Sequence, residues 1–270
     1  MQNKIVFFIL LLTGIFQQEA YTQEVVDTIP QNSLWPHRST ETLVQGRKVW
    51  QLFGVKKMGV AKNMEWQIQP LFFFISPNLG LKKRWTNNRR WSIATLHKIN
   101  YPSIYLNLIA REGAGGVLPK DSEIPPMISL RNEILLDIHS EKIFITLRGG
   151  VATAFKLGNA EKNFPDIDIP FLYNRTLAFN NTPNIYMGIN IHRYILPKLN
   201  VEGDFTAFRV GNENKDFVYE SQLIFFWKKS NKFGLKAGAA AAFGQYPYGR
   251  DFQIIPVFDI IFGWGKNKKN

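Results

Sequence analysis

The sequence contains no cysteine among its 270 residues. This absence excludes disulfide bonds, thiolate zinc sites and cysteine nucleophiles. It also excludes lipid attachment through an N-terminal cysteine. A fold that uses this chain must therefore be held together by packing, hydrogen bonds and ion pairs.

Long hydrophobic runs are also missing. After the first 22 residues no segment reaches the roughly 18 uninterrupted apolar residues that indicate a transmembrane helix. The chain is nevertheless rich in aromatic residues, at 14%, with 22 Phe. That content excludes disorder as the main state, and the length suits one large domain or two small ones.

The first 22 residues have the three parts of a secretory signal peptide. Lys4 supplies a positive start, residues 5–15 form a short apolar run, and a polar segment with small residues follows. Ala20 and Thr22 suit the pockets of signal peptidase and predict cleavage before Gln23. The alternative, a membrane anchor, is disfavoured because the run is too short to cross a bilayer. Residues 23–44 are predicted to form an extended N-terminal arm.

The rest of the chain alternates between apolar and polar residues in segments of about ten to thirteen, separated by residues that favour turns. In one such segment Leu199, Val201, Phe205 and Ala207 share one parity. Period two places residues of one parity on one face of a strand. Eleven segments fit this pattern: 46–56, 66–74, 78–85, 90–100, 128–138, 143–156, 185–192, 199–209, 217–227, 233–243 and 252–264.

Two architectures share this alternation. A soluble sandwich or lipocalin-like barrel places its apolar face inside, whereas an outer-membrane barrel turns it toward lipid. The segments are long enough to cross a membrane, small residues occur on the polar faces, and aromatic residues collect at segment ends, as in Phe217 and Trp227. These features favour an antiparallel transmembrane β-barrel over residues 45–265, with 266–270 as a short basic tail.

Short turns alternate with longer links along the sequence. The predicted tight turns are 140–141, 196–198 and 230–231, and the predicted long links are 157–183, 210–216 and 244–251. An even strand number is required if both ends of the barrel lie in the periplasm, so ten to twelve strands are expected. Either 46–56 lies outside the wall or 171–180 contains a twelfth strand.

On these residues the chain resembles small outer-membrane β-barrel proteins of Gram-negative bacteria that have no assigned function. The resemblance rests on the signal peptide, the alternation and the aromatic-rich last segment, FQIIPVFDIIFGW. It implies insertion into the outer membrane by the barrel-assembly machinery, with lipids and lipopolysaccharide as partners. In that class a terminal aromatic residue is usual, whereas here six residues follow Trp264.

Charged residues recur on the polar faces and are predicted to point into the lumen. Buried charges persist when they are paired, which predicts a network of salt bridges; a selective pore is the alternative, although wide channels need about 16–18 strands. The predicted lumen charges are Arg131, Glu133, Asp137, Arg148, Lys156, Glu202, Asp204, Glu220 and Asp259.

Two long loops are further candidate sites. Residues 101–111 are predicted to form a short amphipathic helix in a loop that folds over or into the barrel mouth, or alternatively a gate or an interfacial helix. In the second loop, Asp166 and Asp168 could bind calcium, but two carboxylates are too few to predict a metal site. No cofactor or metal is expected.

Neither a catalytic motif nor a nucleic-acid site is recognisable. The four histidines lie outside nucleophile and metal-ligand motifs. His139 and His192 lie near the ends of predicted strands and could reach the barrel rim, where hydrolases of this architecture have their sites. Basic residues, which give the chain a net charge of +12, gather at strand ends and suggest contact with lipid headgroups; they include Lys56, Lys57, Lys82, Lys83, Arg84, Arg89, Arg90, Lys228 and Lys229.

The predicted function is a structural or small-molecule-binding barrel without catalysis. A narrow or plugged transport channel is the first alternative. A soluble periplasmic barrel that binds a lipid-like ligand is the second.

Overall fold

The computed structural model describes residues 38–88, 90–114, 116, 118–140, 143–158, 183–210, 216–246 and 249–265. The predicted signal peptide, Asp166, Asp168, the segment 171–180 and the basic tail lie outside these residues. Within them the chain forms a closed antiparallel barrel of twelve strands in which sequence neighbours pair and β1 closes on β12. Among the described residues no helix is both long and apolar enough to cross a bilayer.

The strands are short at the start of the barrel and long afterwards. Their bounds are β1 Arg47–Gln51, β2 Lys56–Ala61, β3 Met64–Ile68, β4 Asn78–Asn87, β5 Trp91–Asn100, β6 Met127–His139, β7 Ile143–Lys156, β8 Asn184–Leu196, β9 Leu199–Val210, β10 Asp216–Lys228, β11 Phe233–Tyr246 and β12 Gly249–Gly265.

The predicted strand number of ten to twelve is confirmed, and the twelfth strand is β2. The predicted segment 46–56 does lie in the wall, but a link at 52–55 divides the region into β1 and β2. The predicted strand 66–74 is wrong beyond Ile68, because a 3-10 turn occupies Pro70–Phe72. Pro70 has no N–H to donate to a ladder and fits the first position of such a turn.

One predicted long link is also wrong. Residues 244–246 and 249–251 continue the ladder between β11 and β12, with Gln245 opposite Arg250 and Tyr246 opposite Gly249. The polar residues of this segment hid the end of both strands from the alternation pattern. Only two residues therefore separate the paired ends of β11 and β12.

The two faces of the strands point as predicted: the charged residues face the lumen and the apolar residues face outward. On β6 the buried Glu133 and Asp137 alternate with the exposed Ile134 and Ile138. Closed barrels with this outward face span outer membranes, since every strand in lipid must be paired. The chain is an outer-membrane barrel, and the soluble alternative is wrong because its apolar face would have to point inward.

Both ends of the barrel wall lie at the same end of the cylinder, where β1 and β12 pair from Arg47 to Gly265. We call this the short-turn end, because the turns after β2, β4, β6, β8 and β10 are there; we call the other the long-loop end. Exposed tryptophans collect in the half near the short-turn end, as an interfacial belt does: Trp50, Trp66, Trp85, Trp91, Trp227 and Trp264.

The predicted helix in the loop after β5 is confirmed as α1, Ser103–Ile109. Its apolar residues Leu106 and Ile109 pack with Leu118 and Met127, and Ala154 contacts the same cluster. Met127 and Ala154 face inward on β6 and β7, so α1 covers part of the mouth at the long-loop end. Of the predicted readings, this placement matches the loop folded over the mouth.

Candidate functional site in the barrel lumen

The lower lumen contains a segment of the chain itself. Residues 38–44, which we call the strap, run inside the barrel before the chain turns into β1. Leu43 packs against the inward side chains of Val49, Phe226 and Ile261. The structure thus describes the predicted N-terminal arm only from residue 38, and residues 38–44 lie inside the lumen, enclosed by the wall.

Two glycines allow the strap to leave the lumen. Gly46 has a φ of 81°, a left-handed conformation that glycine adopts without strain, and its N–H donates to the Gly59 carbonyl at 2.9 Å. A Cβ atom at Gly59 would lie 2.1 Å from the carbonyl oxygen of Val44. The sequence therefore places glycine where the strap backbone crosses β2.

Hydrogen bonds from the wall hold the strap backbone. The Thr40 N–H and hydroxyl both donate to the Asp137 carboxylate, at 2.9 and 2.7 Å. The Leu43 N–H donates to the Glu65 carboxylate at 2.9 Å, and the Lys82 ammonium donates to the Ser39 carbonyl at 3.0 Å. These groups lie on β3, β4 and β6, so one side of the barrel holds the strap backbone.

Ion pairs complete the attachment at the start and in the middle of the strap. Arg84 donates to Glu41 at 2.9 Å, and Arg38 donates to Asp204 at 3.2 Å. Burial raises the pKa of the Glu41 carboxyl, and the neighbouring Arg84 guanidinium opposes that rise. Asp204 lies midway along β9, so the strap rises from the short-turn end to about the middle of the lumen.

Above the strap, the predicted lumen charges form a connected chain. Arg131 donates to Glu133 at 2.9 Å, and Arg148 donates to Asp204 at 2.7 Å while lying 3.8 Å from Glu133. Because Asp204 also binds Arg38, the strap ends on this chain. The arrangement satisfies buried charges that would otherwise be costly.

The other predicted residues lie apart from this chain. Glu202 accepts from the Asn190 amide at 2.7 Å, and Asp259 lies 3.6 Å from the Lys236 ammonium. Glu220 is buried in the upper lumen, and Lys156 is half-buried at the long-loop end of β7. The nine predicted charges therefore face inward but form several groups rather than one.

Sequence reasoning missed the inner-face position of three basic residues, two of which, Lys82 and Arg84, bind the strap. The pattern assigns Lys57, Lys82 and Arg84 to contact with lipid headgroups, yet all three are buried on the inner face. The signal was present in the parity of β4, because Leu81 and Trp85 are apolar and mark the outer face. Lys83 does face outward and lies 3.8 Å over the Trp85 ring.

The surroundings of the histidines also differ from the expected ones. His192 is fully buried and stacks on Phe144, with ring centroids 5.5 Å apart, and Tyr194 lies 4.9 Å away. The His139 imidazole lies 3.8 Å from the Asp137 carboxylate. Both lie near the strand ends at the short-turn end, as predicted, but their rings pack against aromatic neighbours instead of facing an open rim.

A cavity of about 800 Å³ occupies the lumen above the strap. Its wall combines polar and charged groups with apolar side chains, and the strap residues Arg38 and Ser39 form part of its floor. Within the described residues no group of three or more His, Asp or Glu side chains could hold a metal ion. The polar groups that line the cavity are those of lysine, arginine, amide and carboxylate side chains, with some hydroxyls.

No protein-family model and no curated protein matches this sequence. The similar solved structures include OccAB4 of Acinetobacter baumannii, at 10% identity and a TM-score of 0.38, over 82% of this chain and 50% of that one. A bacterial polysaccharide outer membrane secretin is 11% identical, with a TM-score of 0.41, over 80% and 69%. The outer membrane channel DcaP of Acinetobacter baumannii is 8% identical, with a TM-score of 0.36, over 91% and 68%. The chain spans half the length of OccAB4.

Proposed function

We propose that this outer-membrane barrel binds a small molecule in its lumen and is closed to free diffusion by its own strap. The observation that carries the proposal is the cavity of about 800 Å³ with the strap as its floor. A volume of this size matches a small-molecule site. A floor made by the chain itself makes the cavity a blind pocket rather than a pore.

Electrostatics favour an anionic ligand. The cavity wall includes the cations Arg38, Lys57, Lys82, Lys98, Arg131 and Lys236 and the acids Glu133, Glu202, Glu220 and Asp259. Arg38, Arg131, Lys82 and Lys236 have acidic partners. No ion pair within the described residues engages Lys57 or Lys98.

Cysteine accessibility tests both parts of the proposal, and a chain without native cysteine permits it directly. Ser129 lines the cavity, whereas Ser92 is buried beneath the strap and contacts Thr40. We expect S129C to react with an anionic methanethiosulfonate reagent added at the long-loop end, about tenfold faster than with a cationic one. S92C should stay unreactive until the strap is loosened by R38Q.

Lys83→Gln serves as the matched control, because Lys83 faces outward and its loss should change neither rate. Equal reactivity of S92C and S129C in the otherwise unchanged barrel would contradict the closed lumen. Faster reaction of S129C with the cationic reagent would contradict an anion site.

A plugged transport channel is the second candidate, and one observation favours it. The strap is no strand of the wall, and side-chain contacts hold most of it, so it could leave without opening the barrel ladder. In planar bilayers we expect no steady current from the unaltered barrel and a measurable current from R38Q. If R38Q stays silent and S92C becomes reactive, the channel alternative fails while the binding function stands.

A further inference from the structure

The barrel wall is not equally high all round. Strand β12 has 17 residues, but only its last five, from Ile261, pair with β1. Strands β1 and β3 have five residues each. None of the described strands pairs with residues 252–258 on the β1 side, which leaves a gap above β1–β3.

A carboxylate ends the pairing at the base of this gap. The Leu52 N–H still donates to the Ile260 carbonyl at 3.0 Å. At the next position Asp259 accepts from the Phe53 N–H at 3.0 Å and from its neighbour Ile260 at 2.9 Å. The side chain takes the donors that a continued ladder would use, so the two strands separate there.

A proline lies on the open edge. Because backbone polar groups alternate along a strand and the Ile260 carbonyl points toward β1, the backbone of residue 256 also points to that side. This residue is Pro256, which has no N–H and is tolerated in strands at edges. The sequence of β12 therefore suits an unpaired edge at this position.

Apolar side chains surround the gap. Ile255 and Phe258 on β12 and Leu71 in the 3-10 turn line the cavity and are also exposed. Phe74 is 86% exposed beside that turn. Counting about 9–11 residues up from Trp264 for one membrane crossing puts the gap in the leaflet on the long-loop side.

An unpaired strand edge at this depth is tolerated where it borders a cavity rather than lipid. Ile255, Pro256 and Val257 line the cavity of the proposed function, so the gap joins that cavity to the membrane. The cavity lining also includes Lys57 on β2, which is only 8% exposed, and Lys98 on β5. Neither lysine has a hydrogen bond or ion pair to a described residue.

We propose that the cavity takes a single-chain amphiphile with an acidic headgroup, which passes through the gap between β12 and β1–β3. The headgroup binds Lys57 and Lys98, and the acyl chain lies along Ile255, Leu71 and Phe258 toward the membrane. This inference rests on the proposed binding function and names its ligand class. A carboxylate or a phosphate monoester would satisfy the same two lysines.

Binding to the barrel in vesicles tests the ligand class, with palmitate and 1-palmitoyl-lysophosphatidate as separate probes and 1-palmitoylglycerol as the uncharged one. We expect an acidic probe to bind and K57Q/K98Q to weaken it about tenfold or more, since a hydrogen bond to a charged group is lost at each site. K83Q should bind like the unaltered barrel, and K57R/K98R should retain most of the affinity. The stronger of the two acidic probes identifies the headgroup.

The route is tested by Ile255→Trp, which narrows the gap, against Ile254→Trp on the opposite face of the same strand. We expect I255W to slow uptake of the acidic probe from the vesicle membrane, and I254W to leave the rate unchanged. Equal rates in both variants would overturn the lateral route.

A third arm separates this inference from the proposed function. If glycerol phosphate binds in a Lys57- and Lys98-dependent manner and neither acyl probe does, the amphiphile is overturned and the binding cavity stands. If none of the probes binds and S129C shows no preference for the anionic reagent, both proposals fail.

Discussion

The tall wall formed by β4–β12 and the low wall formed by β1–β3 close the same barrel by different means. Within the tall wall, strands β5 to β11 pair with their neighbours along most of their length, and paired charges such as Arg148 and Asp204 fill the space inside. In the low wall the strands have five or six residues, and the strap fills the space inside. The comparison shows that inward charges have two uses: some, such as Arg148, pair with each other inside the wall, and others, such as Glu65 and Lys82, hold the strap.

Among the predictions, the substitution of Arg148 in the tall wall should have the largest effect on the free energy of unfolding. In R148M the carboxylates of Asp204 and Glu133 lose a buried partner, which should lower the free energy of unfolding by about 3–5 kcal/mol. Guanidinium titration of the barrel in micelles measures the change. R209Q, on the outer face of β9, should stay within about 0.5 kcal/mol; a similarly small effect of R148M would show that the network is not a packing element.

The second largest effect is expected from an arginine placed on the outer face, where its cost should differ between the two walls. Phe225 is exposed on the outer face of β10, two residues above Trp227, and F225R should cost up to about 2–4 kcal/mol because lipid surrounds that position. F74R, at the low wall, should cost less, since Phe74 lies in a loop above the short strands. Equal costs, measured by unfolding in vesicles, would mean that lipid covers both walls to the same height.

The sequence predicts the tall wall far better than the low one. From β4 onward the alternation is long and regular, so the facing of Phe225, Ile254, Glu133 and Asp204 follows from parity alone. In the low wall each strand has five or six residues, which is too few for a period to stand out. Gly54 and Pro70 then interrupt the pattern, and the predicted segments leave out β2 apart from Lys56.

The candidate site could be predicted only in part, for a physical reason. Parity identifies which charges face inward, but it cannot say which of them pair. Two inward charges pair only if they lie at a similar level along the barrel axis, and that level is set by the register between strands. The strap was invisible because Arg38, Thr40 and Glu41 form no periodic pattern. Asp137 therefore seemed a member of a wall network, whereas it binds the Thr40 backbone and hydroxyl.

Loosening the strap should have a smaller effect, confined to the low wall. T40V removes the hydroxyl that donates to Asp137 at 2.7 Å, and the buried acceptor left behind should cost about 1–3 kcal/mol. T42V is the matched control, since Thr42 is buried and has no hydrogen bond from its side chain to a described residue. In unfolding titrations T40V should lower the free energy of unfolding more than T42V does. S92C should react with thiol reagents when it is combined with T40V but not when it is combined with T42V.

The smallest expected effect concerns the edge between the two walls. In P256T the new N–H would point into the gap, where no described strand offers an acceptor. The ladder to β11 keeps its bonds, because residue 256 lies opposite Ala239 and the backbone polar groups of residue 256 point away from β11. The free energy of unfolding should therefore change by less than about 0.5 kcal/mol. By contrast, A239P on β11 should be clearly destabilising, because both edges of that strand are paired and proline removes a ladder bond. A stabilisation of P256T by more than about 1 kcal/mol, the worth of a typical net hydrogen bond, would mean that the edge finds a partner and that the gap is closed in the membrane.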